Sequence, residues 1–289
     1  MNRKTELNIV RAAYAKQVLA AVGVRDRRLE DAFATIRRED FLGPGPWSVM
    51  RWERAYVPTP DADPVYLYTD DVVGILPERQ INNGQPSLHA NLMHRAAPVE
   101  GDHVAHIGTG TGYYTAILAH LAGKSGRVTG IEHDDELAAR AKANLASHGN
   151  VEIIAGDGTL VAFNEADVIY VNAGCTQPSD NWLDRLAVGG RLILPMTSDK
   201  GFGGSSPDDI ARAGAVFCIQ RRSQDYHAAW ISAVAIFPCA GNRDANSERA
   251  LDAAFAKGGW QQVTRLYRHQ DIAEDRCWLR GDKWCLAYH

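Results

Sequence analysis

The 289-residue chain lacks long apolar runs and a surplus of basic residues. Glu6, Arg11 and Lys16 interrupt the apolar positions near the amino end, so we expect neither a signal peptide nor a membrane span. Lysine and arginine number 31 against 35 aspartates and glutamates, and the formal net charge of −4 argues against a general nucleic-acid binder. We predict a cytoplasmic protein with no membrane or nucleic-acid partner.

Cysteine is scarce, and its spacing does not suit a metal site. The cysteines are odd in number and none stands in CxxC spacing; they are Cys175, Cys218, Cys239, Cys277 and Cys285. We predict free thiols in a reduced compartment and no bound metal. The sequence also has no recognisable Ser-His-Asp or paired-carboxylate constellation, so no catalytic residue is assigned from it.

A glycine-rich turn between two predicted strands is the most informative stretch. His103 to Ile107 reads as a strand, Gly108 to Gly112 has glycine at alternate positions, and a helical run leads to a second strand, Val128 to Glu132. Glycines let a ligand approach the main chain, and the helix that follows points N–H groups at that ligand. Glu132 lies twenty residues beyond Gly112, where a carboxylate can bind ribose hydroxyls. This order indicates a nucleoside-binding βαβ unit.

The residue after the turn indicates which nucleoside binds. A dinucleotide fingerprint has glycine or alanine at the sixth position from Gly108, and this chain has Tyr113 there. S-adenosylmethionine (SAM) has no pyrophosphate, and its amino-acid tail can lie along the turn. The sequence therefore favours SAM over a nicotinamide dinucleotide.

Further strands and helices alternate along the chain. Val151 to Ile154, Ala166 to Val171 and Arg191 to Pro195 read as strands, and Asp134 and Ser179 are candidate helix starts. This alternation predicts an α/β fold with a doubly wound, mostly parallel, Rossmann-like sheet.

Ligands of open α/β sheets bind outside the carboxyl ends of the strands. We therefore expect the glycine turn, Glu132, Asp157 and Asn172 to converge on one crevice.

The amino-terminal region reads as a helix followed by a loop. Residues 5–40 are predicted helical because apolar residues such as Leu29 and Phe33 recur at helical spacing, and Arg37 to Asp40 are predicted to end the helix in solvent. Gly43 to Pro46 then breaks the helix.

The loop over residues 43–70 is rich in proline and aromatic residues. It is either a lid over a substrate or a segment pinned to the core by its rings, which belong to Trp47, Trp52, Tyr56, Tyr66 and Tyr68. Pro86 then suits the first turn of a helix with an apolar face that contains Leu88, Leu92, Met93 and Ala96.

Beyond the predicted sheet the pattern changes. Residues 201–207 read as a flexible loop, Ala215 to Gln220 and Trp230 to Pro238 as a hairpin-like pair of strands, and Ser247 to Lys257 as a helix. The tail reads as short β-like pieces that contain Trp260, Trp278 and Trp284.

The run from about Glu100 to Met196 resembles the SAM-dependent methyltransferases, and more narrowly the protein-L-isoaspartate O-methyltransferase family. The matching segments are Leu29 to Phe41, Gln85-Pro86, Ile107 to Ala116, Gly156 to Thr159 and Leu186 to Pro195. The resemblance implies a Rossmann-like methyltransferase sheet, SAM as cofactor and S-adenosylhomocysteine as its product.

The resemblance also implies roles for individual residues. The glycine turn is expected to hold the methionine portion of SAM, Glu132 its ribose and Asp157 its adenine amino group. The predicted cofactor-binding residues are His106, Gly108, Thr109, Gly110, Gly112, Tyr113, Glu132, His133, Gly156, Asp157, Gly158 and Asn172. The substrate-side candidates are Asn83, Gly84 and Gln85.

Three positions depart from the family pattern. Gly84 stands where the family usually has a serine near the transferred methyl; Asn82 or Asn83 replaces that hydroxyl, or the Asn-Asn-Gly run only forms a turn. His106 stands where an acidic residue is usual. If the imidazole faces SAM, binding should tighten as pH rises through its titration, whereas the alternative is a histidine packed inside the sheet. Cys175 is either a reactive thiol or, as we predict, a small buried residue.

We predict three regions: residues 1–75 as a helix and aromatic loop, 76–200 as the SAM-binding core, and 201–289 as strands that complete the sheet plus an extension. The predicted activity is SAM-dependent carboxyl O-methylation of a peptide or protein, either isoaspartate repair or modification of a specialised peptide. The open alternatives are a methyltransferase for small-molecule natural products and a non-catalytic SAM-binding protein.

Overall fold

The computed structural model describes residues 2–51, 55–200 and 213–288. Its α-helices are α1 (Arg3–Ala21), α2 (Arg27–Thr35), α3 (Glu39–Leu42), α4 (Pro86–Ala96), α5 (Tyr113–Ala122), α6 (Asp135–Asn144), α7 (Asp180–Arg185) and α8 (Ala245–Lys257). Its strands are β1 (Ser48–Met50), β2 (Tyr56–Pro58), β3 (Gly74–Leu76), β4 (Ile81–Asn82), β5 (His103–Ile107), β6 (Arg127–Glu132), β7 (Val151–Ala155), β8 (Ala166–Val171), β9 (Leu186–Thr197), β10 (Gly214–Arg221), β11 (Tyr226–Ala233), β12 (Arg265–Arg268), β13 (Cys277–Arg280) and β14 (Trp284–Ala287). Within these described ranges, no helix combines the length and apolar character that crossing a membrane would need.

The chain forms two compact units. The first unit contains Met1–Asp102 and Thr109–Ala155, and the second contains His103–Gly108 and Gly156–His289. These units do not test the three predicted regions, whose boundaries stay predictions.

The first unit begins with separate helices where the sequence predicted one continuous helix over residues 5–40. That prediction is wrong because α1 ends at Ala21, Gly23 has a φ of 66°, and Asp26 starts α2 by accepting hydrogen bonds from the N–H groups of Arg28 and Leu29. The predicted solvent-exposed helix end is also wrong at Arg38, whose side chain is fully buried.

The aromatic loop belongs to the core of the first unit. Trp47 and Tyr68 are buried, and Trp47 joins an apolar cluster with Leu42, Val49, Leu67 and Val73. These contacts favour the interpretation of a loop pinned by its rings over that of a lid. Trp52 lies outside the described residues.

The end of the first unit follows the predicted βα pattern closely. Asp134 caps α6 through the N–H groups of Glu136 and Leu137, and β6 pairs in parallel with β7.

Helix α4 begins at Pro86, as predicted, and buries Leu92, Met93 and Ala96. Leu88, on the predicted apolar face of this helix, is only half-buried.

The second unit is a sheet with a parallel and an antiparallel part. Strands β5, β8 and β9 pair in parallel, which confirms the Rossmann-like alternation. Antiparallel pairing continues the sheet from β9 through β10, β11, β12 and β14 to β13. Helix α8, predicted over Ser247 to Lys257, begins two residues earlier and ends at Lys257. This antiparallel part is the β-containing extension that the sequence predicted.

Two sequence predictions fail in the second unit. The second strand of the hairpin begins at Tyr226 and ends at Ala233, before Pro238, because a turn closed by the N–H of Arg222 and the carbonyl of Asp225 starts it early. A disulfide joins Cys277 to Cys285, so the prediction of free thiols is wrong for these two. Cys175, Cys218 and Cys239 are not in a disulfide. The predicted loop over 201–207 lies outside the described residues.

Candidate functional site

The glycine turn of the first unit is held by a buried carboxylate. The N–H of Gly110 donates to Oε2 of Glu132 at 2.7 Å, and Gly110 and Gly112 have φ angles of 56° and 99°. Asn144 Nδ2 donates to the carbonyl of Thr111 at 3.0 Å. Positive φ angles favour glycine, and a glycine at alternate positions of the turn lets a ligand approach the backbone there.

Glu132 is the strongest candidate for a ligand-binding side chain in this unit. It is only 8% exposed, and its Oε1 accepts a hydrogen bond from the N–H of Asp134 at 3.1 Å. Burial raises the pKa of the Glu132 carboxyl, while hydrogen bonds from the N–H groups of Asp134, Gly110 and His133 oppose that rise. Three N–H groups use three of the about four lone-pair sites of the carboxylate, so Glu132 can hold the turn and still accept from one ribose hydroxyl. The side chain of His133 is exposed.

Tyr113 opens helix α5 immediately after Gly112. Its ring is 2% exposed and packs edge-on against Phe41, with 5.8 Å between the ring centroids. The side chain therefore belongs to the core of the unit. Tyr113 can serve a ligand through its backbone N–H in the first turn of α5. Gly112, at the N-cap position, has no side chain that could cap this turn.

The substrate-side candidates lie just ahead of α4, also in the first unit. Asn83 is buried, and its Oδ1 accepts from Arg38 Nη2 at 3.2 Å and from the N–H of Val73 at 3.0 Å. Asn82 Oδ1 accepts from the N–H of Gly84 at 2.9 Å. Both amide oxygens thus serve the local fold, which supports the interpretation of Asn-Asn-Gly as a turn.

Asp70, which the sequence did not single out, and the buried His89 hold this segment. Asp70 accepts from Gln85 Nε2 at 3.0 Å and from the N–H of Ser87 at 2.7 Å, so it caps α4 from a distant loop. His89 stacks on Tyr114 with 3.7 Å between the ring centroids, and its Nε2 would lie 2.3 Å from a Cβ placed on Gly84. Neither contact is local enough to leave a sequence signature.

In the second unit, Gly108 and Asn172 lie together at the carboxyl ends of neighbouring strands. The N–H of Asn172 donates to the carbonyl of Ile107 at 2.8 Å, and Asn172 Nδ2 lies 3.3 Å from the carbonyl of Gly108. Gly108 has a φ of 80° and passes so close to the Asn172 backbone that a Cβ would lie 3.1 Å from its carbonyl oxygen. The predicted proximity of these two residues is therefore present.

The turn over Gly156 to Gly158 presents the second predicted carboxylate. Asp157 Oδ1 accepts from the N–H and the hydroxyl of Thr159, at 2.8 and 2.7 Å. Gly241, which sequence reasoning missed, packs against this carboxylate, because a Cβ there would lie 2.2 Å from both of its oxygens. The carbonyl of Gly158 accepts from Trp182 Nε1 at 2.7 Å.

His106 lies in the middle of β5 with no exposed surface. Its ring packs edge-on against Tyr170 of the neighbouring strand, with 5.5 Å between the centroids. Burial lowers the pKa of His106 to about 3. The imidazole is therefore neutral from mildly acid to alkaline pH. The predicted change of SAM affinity near the ordinary pKa of imidazole is not expected, and the burial favours the packed-histidine alternative.

The buried imidazole should instead make stability depend on pH. The pKa of His106 is about 6.5 in the unfolded chain and about 3 in the fold, so the unfolded chain binds a proton first and stability falls as pH drops below about 6.5. This contribution amounts to about 2 kcal/mol at pH 5. Urea unfolding of wild type and His106→Leu at pH 8 and pH 5 measures it.

The His106→Leu variant should lose less stability between these pH values than wild type does. His133→Leu, which replaces an exposed histidine, should behave like wild type and serves as the control. An equal loss in wild type and His106→Leu would show that His106 titrates normally in the fold.

Comparison with known proteins agrees with this geometry. A model of the protein-L-isoaspartate(D-aspartate) O-methyltransferase family matches residues 16–202. The chain belongs to this family. The match confirms the resemblance seen in the sequence and leaves residues 203–289 outside it. Members of this family are SAM-dependent methyltransferases.

Three proteins that are similar to this chain illustrate the relationship. A protein-L-isoaspartate O-methyltransferase of Thermotoga maritima is 32% identical over 183 residues, which are 62% of this chain and 53% of that protein. The structure of a protein-L-isoaspartate O-methyltransferase has a TM-score of 0.63 at 25% identity and covers 80% of this chain and 66% of the other.

A second structure, assigned to the same enzyme from Plasmodium falciparum and in complex with S-adenosyl-L-homocysteine, has a TM-score of 0.62 at 17% identity. The match covers 80% of this chain and 99% of that one. The two structures confirm the predicted methyltransferase fold. The matched part of this chain spans about half the length of the first curated relatives, 53% and 46%.

Proposed function

We propose that this chain is a SAM-dependent methyltransferase that esterifies a carboxylate of a peptide or protein, as the names of its relatives suggest. The observation that carries the proposal is the buried Glu132 carboxylate bound to the N–H of Gly110 at 2.7 Å. It combines a glycine-rich turn, a helix start without a capping side chain and an acceptor for a ribose hydroxyl within one unit.

These residues fit SAM. The glycines of the turn leave room for the methionine portion beside their backbone, and Glu132 has a lone pair left for the ribose. Asp157 is proposed for the adenine amino group. When bound, SAM supplies a methyl group on a positively charged sulfur. The task of the chain is to hold the acceptor oxygen in line with that methyl group and to exclude water.

A carboxylate acceptor explains why no general base is assigned. Carboxylates are ionised near neutral pH, so their oxygen is already a nucleophile and no proton has to be removed. A small-molecule acceptor would be favoured by a loop that is free to close over a compact pocket. The rings of Trp47 and Tyr68 are buried in the core, which argues against such a loop. We propose an isoaspartyl residue as the acceptor and the cytoplasm as the compartment.

Intact-mass analysis tests the function. The chain is incubated with SAM and a peptide that contains one isoaspartyl residue, and the same peptide with a normal aspartyl residue is the control. We expect a product heavier by one methylene group on the isoaspartyl peptide only, and mild base should remove it because it is an ester. If no carboxylate peptide is methylated while SAM binds, the proposed activity is wrong.

Replacing Glu132 with alanine tests the cofactor residue directly. Calorimetry should show SAM binding weaker by about 1–3 kcal/mol, the usual range for charged hydrogen bonds lost from a ligand. Glu132→Gln keeps one acceptor oxygen and should lie between alanine and wild type. Glu136→Ala, an exposed carboxylate in the first turn of α6, should leave the affinity unchanged. An unchanged affinity in Glu132→Ala would place the ribose elsewhere.

A further inference from the structure

Two thiols of the second unit lie side by side. Gly174 pairs in parallel with Pro238, the N–H of Gly174 donates to the carbonyl of Phe237 at 2.7 Å, and the N–H of Cys239 donates to the carbonyl of Gly174 at 2.8 Å. The residues that follow this pair are Cys175 and Cys239. Neighbouring strands lie about 4.8 Å apart, which is within the Cα separation of about 4.4–6.8 Å that a disulfide requires.

The two thiols have different environments. The Cys175 thiol acts on the pKa of the Cys239 thiol, and so do the N–H groups of Gly241 and Asn242. The Cys175 sulfur also lies 3.6 Å from the carbonyl of Ala173. The hydrogen bond from Cys175 lowers the pKa of Cys239 to about 7, and the same bond together with burial raises the pKa of Cys175.

Charged groups around the pair act on the two thiols differently. Arg243 donates to the carbonyls of Gly174 and Thr197 at 2.9 and 2.7 Å, and its charge favours a Cys175 thiolate. Burial and, to a smaller extent, Asp157 disfavour a Cys239 thiolate, but Cys175 and the N–H groups of Gly241 and Asn242 outweigh them. Cys239 is 9% exposed and Cys175 is fully buried. A small oxidant can thus reach Cys239 first, and Cys175 is placed to react next.

We propose that Cys239 and Cys175 are a site of reversible oxidation by a hydroperoxide. The Cys239 thiolate attacks one peroxide oxygen, an S–O bond forms, the O–O bond breaks and hydroxide leaves. The Cys175 sulfur then attacks the Cys239 sulfenic acid, the S–S bond forms, the S–O bond breaks, and the departing hydroxide takes the Cys175 proton as water. The hydroxide from the first step takes up the proton that Cys239 released on ionising. With hydrogen peroxide, two thiols thus lose two electrons and one peroxide becomes two molecules of water.

Oxidation has a structural consequence at Asp157. The thiolate of Cys239 holds the turn that contains Gly241 and Asn242, and Gly241 packs directly on the Asp157 carboxylate. A disulfide removes the negative sulfur from those N–H groups, so the turn and the carboxylate beneath it should shift. If Asp157 binds adenine, a role that rests on the proposed function, the oxidised chain should bind SAM severalfold more weakly than the reduced chain.

Peptide mapping tests the proposal. The chain is treated with hydrogen peroxide in a small molar excess at pH 7, alkylated and digested with trypsin, which places Cys175, Cys218, Cys239, Cys277 and Cys285 in separate peptides. We expect a Cys175–Cys239 crosslinked peptide that dithiothreitol reverses. Cys239 should be oxidised ahead of Cys218, because about half of a thiol with a pKa near 7 is ionised at pH 7.

Single substitutions separate the two roles. In Cys175→Ser, Cys239 should accumulate as a sulfenic acid that dimedone traps; in Cys239→Ser, Cys175 should stay reduced; and in Cys218→Ser, the crosslink should form as in wild type. Circular dichroism before treatment establishes that each variant is folded. Oxidation of Cys218 ahead of Cys239, or absence of the crosslink in folded wild type, would overturn the proposal. The crosslink is read without SAM, so this result is independent of the proposed methyltransferase activity.

Discussion

Replacing Gly84 with alanine should destabilise the chain by about 3 kcal/mol. Gly84 has a φ of 72°, and a Cβ at this position would lie 2.3 Å from Nε2 of His89 and 2.9 Å from its Cδ2. The left-handed conformation costs a residue with a Cβ about 1–2 kcal/mol, and overpacking of a buried site typically costs about 1–3 kcal/mol. Both costs apply here, because alanine introduces the strain and the contact together.

His89 has little freedom to move away from a new methyl group. It is 1% exposed and stacks on Tyr114 with an angle of 20° between the rings. The Tyr114 hydroxyl lies 3.4 Å from the carbonyl of Gly84, so the same aromatic ring that fixes the imidazole also contacts the glycine. The three residues form one packed group, and a Cβ on Gly84 must displace part of it.

Two other glycines separate the strain from the contact. Gly23 has a φ of 66° with nothing near the position of its Cβ, so Gly23→Ala should show only the conformational cost. Gly149 has neither a positive φ nor a neighbour, so Gly149→Ala should be nearly neutral. Urea unfolding of the three variants should give the largest loss for Gly84→Ala. A loss equal to that of Gly23→Ala would show that His89 gives way freely.

In the double variant Gly84→Ala with His89→Ala, the stability lost through contact with the imidazole should be regained. The stability lost through the positive φ of residue 84 should not. The same packing disfavours a serine at position 84, the residue that the resemblance to the family leads us to expect there. The imidazole of His89 occupies the space in which that side chain would begin. We expect Gly84→Ser to be tolerated only when His89 is shortened as well, so the two positions act as a pair.

The parts of the structure that sequence reasoning predicted well are those with local causes. The alternate glycines after β5, the cap of α6 at Asp134 and the start of α4 at Pro86 each depend on neighbouring residues alone. Such patterns fix turns and helix ends wherever the segment lies in the fold. The prediction that Gly108 and Asn172 come together also succeeded, because parallel pairing of neighbouring strands brings their carboxyl ends to one edge.

The parts that failed depend on distant residues. Asp70 caps α4 from seventeen positions before Ser87, and the disulfide between Cys277 and Cys285 depends on the pairing of β13 with β14. Neither contact can be predicted from the spacing of residues along the chain. His106 was ambiguous for a related reason: a histidine in an apolar strand can face a ligand or the interior, and only the complete burial seen in the fold favours the interior.

Arg38 should be the costliest side chain to remove in the first unit, although the sequence predicted it to lie in solvent beside Arg37. Its Nη1 donates to the carbonyls of Leu67 and Thr69 at 2.5 and 3.1 Å, and its Nη2 to the carbonyl of Asp71 and Oδ1 of Asn83 at 2.9 and 3.2 Å. One guanidinium thus donates to three backbone carbonyls of a single loop and to the side chain of Asn83, one of the substrate-side candidates.

Arg38→Ala should lower the free energy of unfolding by about 4 kcal/mol, because buried acceptors lose their donor and a cavity remains. Arg38→Lys keeps the charge but cannot reach four acceptors with one ammonium group, so we expect about half of that loss. Arg37→Ala removes an exposed arginine paired with Asp40 and should cost at most about 0.5 kcal/mol. Urea unfolding followed by tryptophan fluorescence measures all three, and similar losses for Arg37→Ala and Arg38→Ala would contradict the buried network.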